Sequence, residues 1–337
     1  MKSLTAFGFE SMEIVQSNFP VLGNGEILVA PILTGICGTD LDIIYSKIDP
    51  AYVKYPIVIG HEWCGRVVDI GTSETKVRVG DRVVVEGIIP CEQCFECLGG
   101  NTNRCTTYDE IGFTRPGAAS ELIKVPNHLV HVLADSVSNE SAVLVEPTAV
   151  VTQGILKANP AAGAKVLVIG DGTIAMIAGQ LIRNWKPSVV HMLGLKDGQQ
   201  VLAAQAGIDA FYTQLPVEKY DLIIEASGSS SRITESVLAL IRGGKLLLLG
   251  FTGPDESTPI SIDDLINGDL SIFASFGYSR SAWKETVALL NSGELDLTFL
   301  VTHRFALEEY EAAISALSSA PAPRGKIVLE IGSQFHH

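Results

Sequence analysis

The amino-acid sequence predicts an α/β protein of two domains, with a doubly wound parallel sheet in its second half. Three observations carry that expectation. The chain has 337 residues, more than one hydrophobic core usually organises. From about residue 163, short apolar runs alternate with helical patterns, the texture of repeated strand–helix–strand units. The first third differs from this, because all six cysteines lie there.

Composition narrows the class. Hydrophobic residues make up 47% and charged residues 18%, an ordinary globular balance. Lys and Arg number 24 against 38 Asp and Glu, a formal net charge of −14. That field repels a nucleic-acid backbone and removes it as a partner, while leaving room for a small phosphorylated molecule in a local site. The opening MKSLTAFGFESMEIV carries Glu10 and Glu13 where a secretory leader needs an unbroken apolar run. No window approaches the roughly 18 consecutive apolar residues of a membrane span. A soluble cytoplasmic protein is expected.

Four cysteines stand close together in PCEQCFECLGGNTNRC: Cys91, Cys94, Cys97 and Cys105. Neither a short chain nor a leader supports a secreted disulfide framework. Thiolates this close repel one another unless a cation holds them, and Zn2+ takes four thiolates in a closed tetrahedral set. The expected feature is a structural zinc site in a loop; free or disulfide-paired thiols are the alternative. A second donor set is dispersed: Cys37 in GICGTD, His61 and Glu62 in IGHEWCG, and Glu146 in LVEPTAV. One Cys, one His and one or two carboxylates suit a catalytic zinc with an exchangeable position. Taken singly, each has a plain reading as a packed thiol, a hydrogen-bonded core His or a helix-start acid. Cys64 is read as packing.

The second half begins with Lys165–Ile169, apolar enough for a strand buried on both faces. Gly170-Asp171-Gly172-Thr173-Ile174-Ala175 follows as G-x-G-x-x-A, the dinucleotide fingerprint between a strand and a helix. Gly170 permits the tight turn, Gly172 the close approach of a pyrophosphate, and Ala175 the packing of helix on sheet. The helix start at Thr173 and Ile174 offers free N–H groups to phosphate. Asp171 is uncomfortable there, since an acid repels a pyrophosphate unless it points away. Further strands are expected at 188–193, Asp221–Ala226, Lys245–Leu249 and Leu270–Phe276, with helices at Gln199–Ala206 and Arg232–Ile241. Ligands of such sheets sit beyond the carboxyl ends of the strands, which places Ser227, Gly250, Phe251 and Ser275 on the binding edge. An NAD site usually has Asp or Glu at the end of the second strand; here that position is Gly194, followed by Leu195 and Lys196. The missing carboxylate and Lys196 lean the reading to NADP over NAD, although Asp197 is adjacent and no Arg is near in sequence. In the tail, AWKETVALLNSGEL reads as a helix bridging the domains, HRFALEEYEAAISAL as strand then helix, SSAPAPRG as a surface connector and GKIVLEI as a closing strand. Phe335, His336 and His337 read as a solvated tail.

As a set, GICGTD, GHE, the GDRV turn at 80–83, the four-cysteine lobe, VEP and the late G-x-G-x-x-A resemble the zinc-containing medium-chain alcohol dehydrogenase family over essentially the whole chain. The resemblance implies a GroES-like, mostly-β catalytic domain (1–148 plus 283–337, with the zinc lobe at 90–106) and an inserted Rossmann domain with a doubly wound parallel sheet at 149–282. It implies two zinc ions per subunit, one structural and one catalytic, the latter on Cys37, His61 and Glu146 with Glu62 as an alternate ligand. It also implies a nicotinamide cofactor, a small alcohol as substrate and a homodimer or homotetramer. Glu146, where many alcohol dehydrogenases carry Cys, is similar to the polyol and sugar branch. Thr39 matches the hydroxyl that passes on the substrate proton, and Asp40 the acid that orients the zinc-bound His. Asp42 stands where many members have a relay His, as in the glucose dehydrogenase branch. Gly277 replaces an Arg near the substrate of sorbitol dehydrogenases, with Tyr278 kept. Pro116-Gly117-Ala118-Ala119 replaces a common Gly-Gly-Phe, so a pocket aromatic is expected to be missing. The implied reaction is hydride transfer between a secondary alcohol (polyol, sugar or cyclitol) and NAD(P). A simple alkyl alcohol dehydrogenase and a non-catalytic zinc-stabilised nucleotide-binding relative are the competing readings.

Overall fold

The computed structural model describes residues 1–71, 75–253 and 255–332; the expected solvated tail at Phe335–His337 lies outside them. The chain divides into two units, residues 1–146 with 279–320 and 326–337, and residues 147–278 with 321–325. No helix among the described residues is long and apolar enough to cross a membrane.

The first unit is mostly β. Strands β1 (Lys2–Gly8) and β2 (Ser11–Gln16) form a hairpin, followed by β3 (Glu26–Ile36) and the short helix α1 (Gly38–Ile44). Then come β4 (Ile57–Val58), β5 (Glu62–Ile70), β6 (Arg82–Val85), β7 (Ile88–Ile89), the one-turn helix α2 (Phe95–Leu98), β8 (Asp109–Glu110), β9 (Ile123–Pro126), β10 (Val130–Val132) and α3 (Asn139–Ala142). β3 is the backbone of this unit, pairing antiparallel with both β5 and β9. Its alternating inward residues Ile27 and Val29 pack with Trp63, Val83 and Leu129. A second cluster gathers Leu4, Ile43, Ile57 and Ile327.

Helix α4 (Val145–Ala158) carries the chain into the second unit, with Pro147 tolerated in its first turn, where no intrahelical N–H is needed. There the alternation seen in the sequence is realised: β11 (Lys165–Ile169), α5 (Thr173–Leu181), β12 (Val189–Leu193), α6 (Gln200–Gln205), β13 (Ala210–Tyr212), β14 (Tyr220–Glu225), α7 (Ser230–Ala239), β15 (Leu240–Leu248), α8 (Ile262–Gly268) and β16 (Ser271–Ala274). Among the described residues these strands form one parallel sheet in the order β13-β12-β11-β14-β15-β16. With β11 counted first, this is the 3-2-1-4-5-6 order of a Rossmann sheet. The sequence reading had no β13, whose three half-buried residues are too few for a periodic signal, and no α8, none of whose residues is buried.

The tail returns as α9 (Arg280–Ser292), β17 (Val301–Ala306), α10 (Tyr310–Ser319) and β18 (Lys326–Glu330). α9, expected to bridge the domains, lies wholly within the first unit. Residues 321–325, expected as a mere surface connector, group with the second unit because Gln199 holds them: its Oε1 accepts from Arg324 N at 2.7 Å and its Nε2 donates to Arg324 O at 2.9 Å. β18 pairs antiparallel with β3, Ile327 opposite Ile36, while Glu62 at the start of β5 lies opposite Gly35. Three strand ends therefore meet where β3 finishes.

Candidate active site and cofactor pocket

That meeting point gathers the dispersed donors. Ligand atoms of Cys37, His61 and Glu62 lie within 4.8 Å of one another. Cys37 follows directly on β3 and caps α1: its backbone N–H donates to Asp40 Oδ2 at 2.9 Å, and Asp40 N donates back to Cys37 O at 3.2 Å. Asp40 is thereby fixed, fully buried, with Oδ1 3.4 Å from His61 Nδ1. A carboxylate on one ring nitrogen leaves the other for a metal, the arrangement that orients a ligating imidazole. Thr39 Oγ1 is 3.6 Å from Cys37 Sγ, on the same turn. Among the described residues no side-chain contact ties Asp42 to this cluster; two residues beyond Asp40, it projects about 200° round α1.

Glu146 lies outside the 4.8 Å set but stands half-buried beside His61, Glu62, Glu110 and Lys326. Burial, with Glu62 and Glu110 adding repulsion, pushes its carboxyl up to about 8. Burial likewise pushes Glu110 up to about 7. Burial alone lowers the charged form of His61, yet Asp40 and Cys37 outweigh it and raise the imidazole well above its ordinary value. One thiol and the four carboxyls of Asp40, Glu62, Glu110 and Glu146 thus surround a single Lys and a single His. Such an excess of acid, two of the carboxyls buried and two half-buried, calls for a further cation, and a soft thiol with imidazole and carboxylate fits Zn2+.

Three participants here were not singled out from the sequence. Lys326 Nζ lies 2.5 Å from Glu62 Oε2. Glu110 reaches the site from β8. Phe113 sets its ring 5.3 Å from His61, tilted by 54°. An aromatic therefore does stand beside the metal cluster, from a position six residues ahead of Ala119. Ala118 and Ala119 are wholly buried, and a Cβ on Gly117 would sit 2.3 Å from Ile59 O, so this segment has no room for a larger side chain. Nothing in the local pattern of Lys326 or Phe113 marks them; only strand pairing does.

The four-cysteine lobe forms as the spacing implied. Sγ atoms of Cys91, Cys94, Cys97 and Cys105 lie within 4.8 Å of one another, with Cys91–Cys97 at 3.9 Å and Cys94–Cys97 at 3.4 Å. Tetrahedral Zn–S bonds of about 2.3 Å space sulfurs at about 3.8 Å, so an ion fits the set. All six cysteines are free thiols. Backbone N–H groups of Gln93 and Cys94 draw Cys91 down to about 6, favouring thiolate. Cys64, by contrast, is buried and pushed up to about 12, an inert packed thiol as read from the sequence.

In the second unit, a cleft of about 300 Å³ opens at the carboxyl ends of β11, β12 and β14, lined by Gly170, Asp171, Gly172, Gly194, Ser227 and Arg232 among others. Gly170 has φ +119, and a Cβ there would stand 3.1 Å from Ala226 C. Gly172 caps α5 with open space beyond it, so the N–H groups at Thr173 and Ile174 face a free approach. Glu225, fully buried at the end of β14, accepts from Ser227 N at 2.9 Å and Gly228 N at 3.2 Å and so shapes the turn carrying Ser227. Gly250 closes on that turn: its Cβ would lie 2.3 Å from Gly228 N. Phe251 is 83% exposed and Ser275 follows β16; neither lines the cleft, nor does Lys196. Arg232, far from the second strand in sequence, does line it.

A GroES-like β unit holding a mixed thiol–imidazole–carboxylate set, with a Rossmann unit holding a glycine turn, defines a zinc- and dinucleotide-dependent dehydrogenase. Comparison with known proteins agrees. Residues 23–135 match the alcohol dehydrogenase GroES-like domain, and residues 139–330 the glucose dehydrogenase C-terminus. The chain is 30% identical to L-threonine 3-dehydrogenase of Yersinia pestis (strain Pestoides F) over 92% of its length and 93% of that protein's. It is similar to the NADH complex of a short chain alcohol dehydrogenase from E. coli CFT073, with TM-score 0.90, 28% identity, and 98% and 99% of the two chains covered. It is also similar to galactitol-1-phosphate dehydrogenase from Escherichia coli, with TM-score 0.87, 25% identity, and 98% and 100% covered. The chain belongs to the zinc-containing medium-chain dehydrogenase family and is an NAD(P)-dependent oxidoreductase of alcohols.

Proposed function

We propose that this enzyme transfers a hydride between a secondary alcohol of the polyol, sugar or cyclitol class and a nicotinamide dinucleotide. The observation that carries this reading is the clustered donor set of half-buried Cys37 with buried His61 and Glu62, and its excess of acid. Bound there, Zn2+ would act as a Lewis acid that lowers the pKa of an alcohol hydroxyl. Cys37 and His61 would hold the ion, with Glu62 or Glu146 completing its shell. Asp40 orients His61, and Lys326 holds Glu62 in place. Thr39, on the turn next to Cys37, would accept a hydrogen bond from the substrate's hydroxyl and relay the proton by giving up its own toward solvent. A second zinc in the four-cysteine lobe would be structural. The carboxyls of Glu110 and Glu146 favour hydroxyl-rich substrates over alkyl alcohols, because they offer hydrogen-bond partners that an alkyl chain leaves unmet. The names of the relatives, threonine and galactitol phosphate dehydrogenases, support a polar substrate in the same way. The reading carries with it a cytoplasmic homodimer or homotetramer acting on a small molecule.

The test is an assay of the purified protein, its zinc content measured on the same sample, against polyols, hexoses, cyclitols and alkyl alcohols with NAD and NADP. Turnover of polyhydroxylated substrates, lost on chelation and restored by Zn2+, is expected. Preference for alkyl alcohols would replace the substrate reading, and no reduction of either dinucleotide would overturn the whole.

A further inference from the structure

The position that conventionally carries the ribose-binding acid is Gly194, and the structure shows why no side chain stands there. A Cβ on Gly194 would meet Phe211 Cζ at 2.4 Å and Asp171 Cβ at 2.8 Å. The space is already taken, in part by an acid that arrives from the glycine turn. Asp171 Oδ2 accepts from Leu195 N at 2.8 Å and from Lys196 N at 3.1 Å, the two backbone N–H groups that follow the second strand of the Rossmann order. The turn itself is pinned, since Gln199 Nε2 donates to Asp171 O at 2.6 Å. Asp171 lines the cleft with Gly170, Gly172 and Gly194.

We infer that Asp171 replaces the missing acid of the second strand, and that this makes NAD the cofactor of the dehydrogenase reaction proposed above. Two consequences of its placement act in the same direction. Paired N–H groups in a loop are a ready seat for an anion such as a ribose 2′-phosphate. Here they are occupied by the chain's own carboxylate, which also repels that phosphate. A carboxylate fixed in one orientation is, in turn, a strong acceptor for ribose hydroxyls. The opposing charges are weaker. Arg232 lines the cleft but is ion-paired to Glu235 at 2.7 Å on its own helix, which offsets part of its pull on a phosphate and leaves a planar guanidinium suited to an adenine face. Lys196 lies outside the cleft lining and is followed by Asp197. The discomfort of an acid beside the pyrophosphate is resolved by direction: Asp171 turns to the second strand and away from the helix start at Thr173.

The test is calorimetric titration of the zinc-loaded enzyme with NAD and with NADP, using wild type, Asp171→Asn and Asp171→Ser. Wild type is expected to bind NAD at least about tenfold more tightly than NADP, the value of one charge-assisted contact. Asn keeps the shape and an acceptor for the two N–H groups while removing the charge, and Ser vacates them. Both variants should shrink or invert the ratio, with Ser gaining affinity for NADP. Wild type binding NADP as tightly as NAD overturns the inference. An equal loss of both dinucleotides in the variants also overturns it, since that marks a purely structural role for Asp171. If wild type binds neither dinucleotide, the cofactor reading of the whole protein fails, a result distinct from either of these.

Discussion

Lys326 Nζ lies 2.5 Å from Glu62 Oε2, with 5% and 2% of the two side chains exposed. The pair rests on Gly35, where a Cβ would stand 2.5 Å from the same oxygen and 3.3 Å from Lys326 Cδ. One residue comes from the start of β18, one from the start of β5, and the bare backbone between them from the end of β3. Burial disfavours the Lys326 ammonium, but Glu62, Cys37 and Glu146 more than offset this and raise it above its ordinary value.

Removing one member of such a pair leaves a buried charge uncompensated. Lys326→Met is expected to destabilise the metal-free protein by about 3–5 kcal/mol in urea unfolding. Gly35→Ala should destabilise it too, by prising the pair apart. A Met variant as stable as wild type would show that the pair contributes little.

His61→Ala or Cys37→Ser should abolish turnover while leaving the far-UV circular dichroism and the four-cysteine zinc intact. Asp40→Asn should lower zinc affinity or activity by about 10–100-fold, the usual effect of removing the partner that orients a metal-bound imidazole. Near wild-type rates in either His61→Ala or Cys37→Ser, with one zinc per chain, would sink the assignment.

Cys94→Ser should cost stability before it costs chemistry. The lobe from Cys91 to Cys105 has a helix of one turn, and neither Phe95 nor Leu98 is buried. With so little apolar packing of its own, the lobe would draw much of its order from an ion held by the four thiols. Loss of one zinc and a lower melting temperature are expected, and an unchanged melting curve would refute the structural role.

His191 supplies a pH dependence within the second unit. It is buried on β12, with Nδ1 3.0 Å from Tyr220 Oη, and burial lowers its pKa from 6.5 despite the pull of Glu218. Below 6.5 the unfolded chain binds this proton and the folded chain resists it, so its contribution to stability is lost as the pH falls from 6.5 toward the folded value. Replacing it with Gln should flatten the stability profile between about pH 5 and 7 relative to wild type. Parallel profiles for the two proteins would contradict this.

The features legible in the sequence are those set by neighbours along the chain. Cys91, Cys94, Cys97 and Cys105 could be read as a metal-ligand set because fifteen consecutive residues contain all four. The turn from Gly170 to Ala175 is equally local, as is the alternation of buried strands with helices around it. Cys37, His61, Glu62 and Glu146 could be nominated as residue types, but nothing in their separation along the chain states that they meet. The resemblance supplied that expectation for them as a set, and the registers Gly35–Glu62 and Ile36–Ile327 supply the cause for all but Glu146.

What remained hidden depends on pairings between distant strands. Lys326, Phe113 and Glu110 carry no motif and enter the site only because β18, β8 and the loop after it converge on β3 and β5. Asp171 was visible as an awkward acid, yet its role follows from a contact made 24 residues away, at Leu195. By itself, the sequence determined the class of chemistry, because metal ligands and phosphate turns demand particular residue types at short spacing. The tertiary structure alone decided which charges face which, because electrostatic and steric contacts act through distances in space that a linear chain does not record.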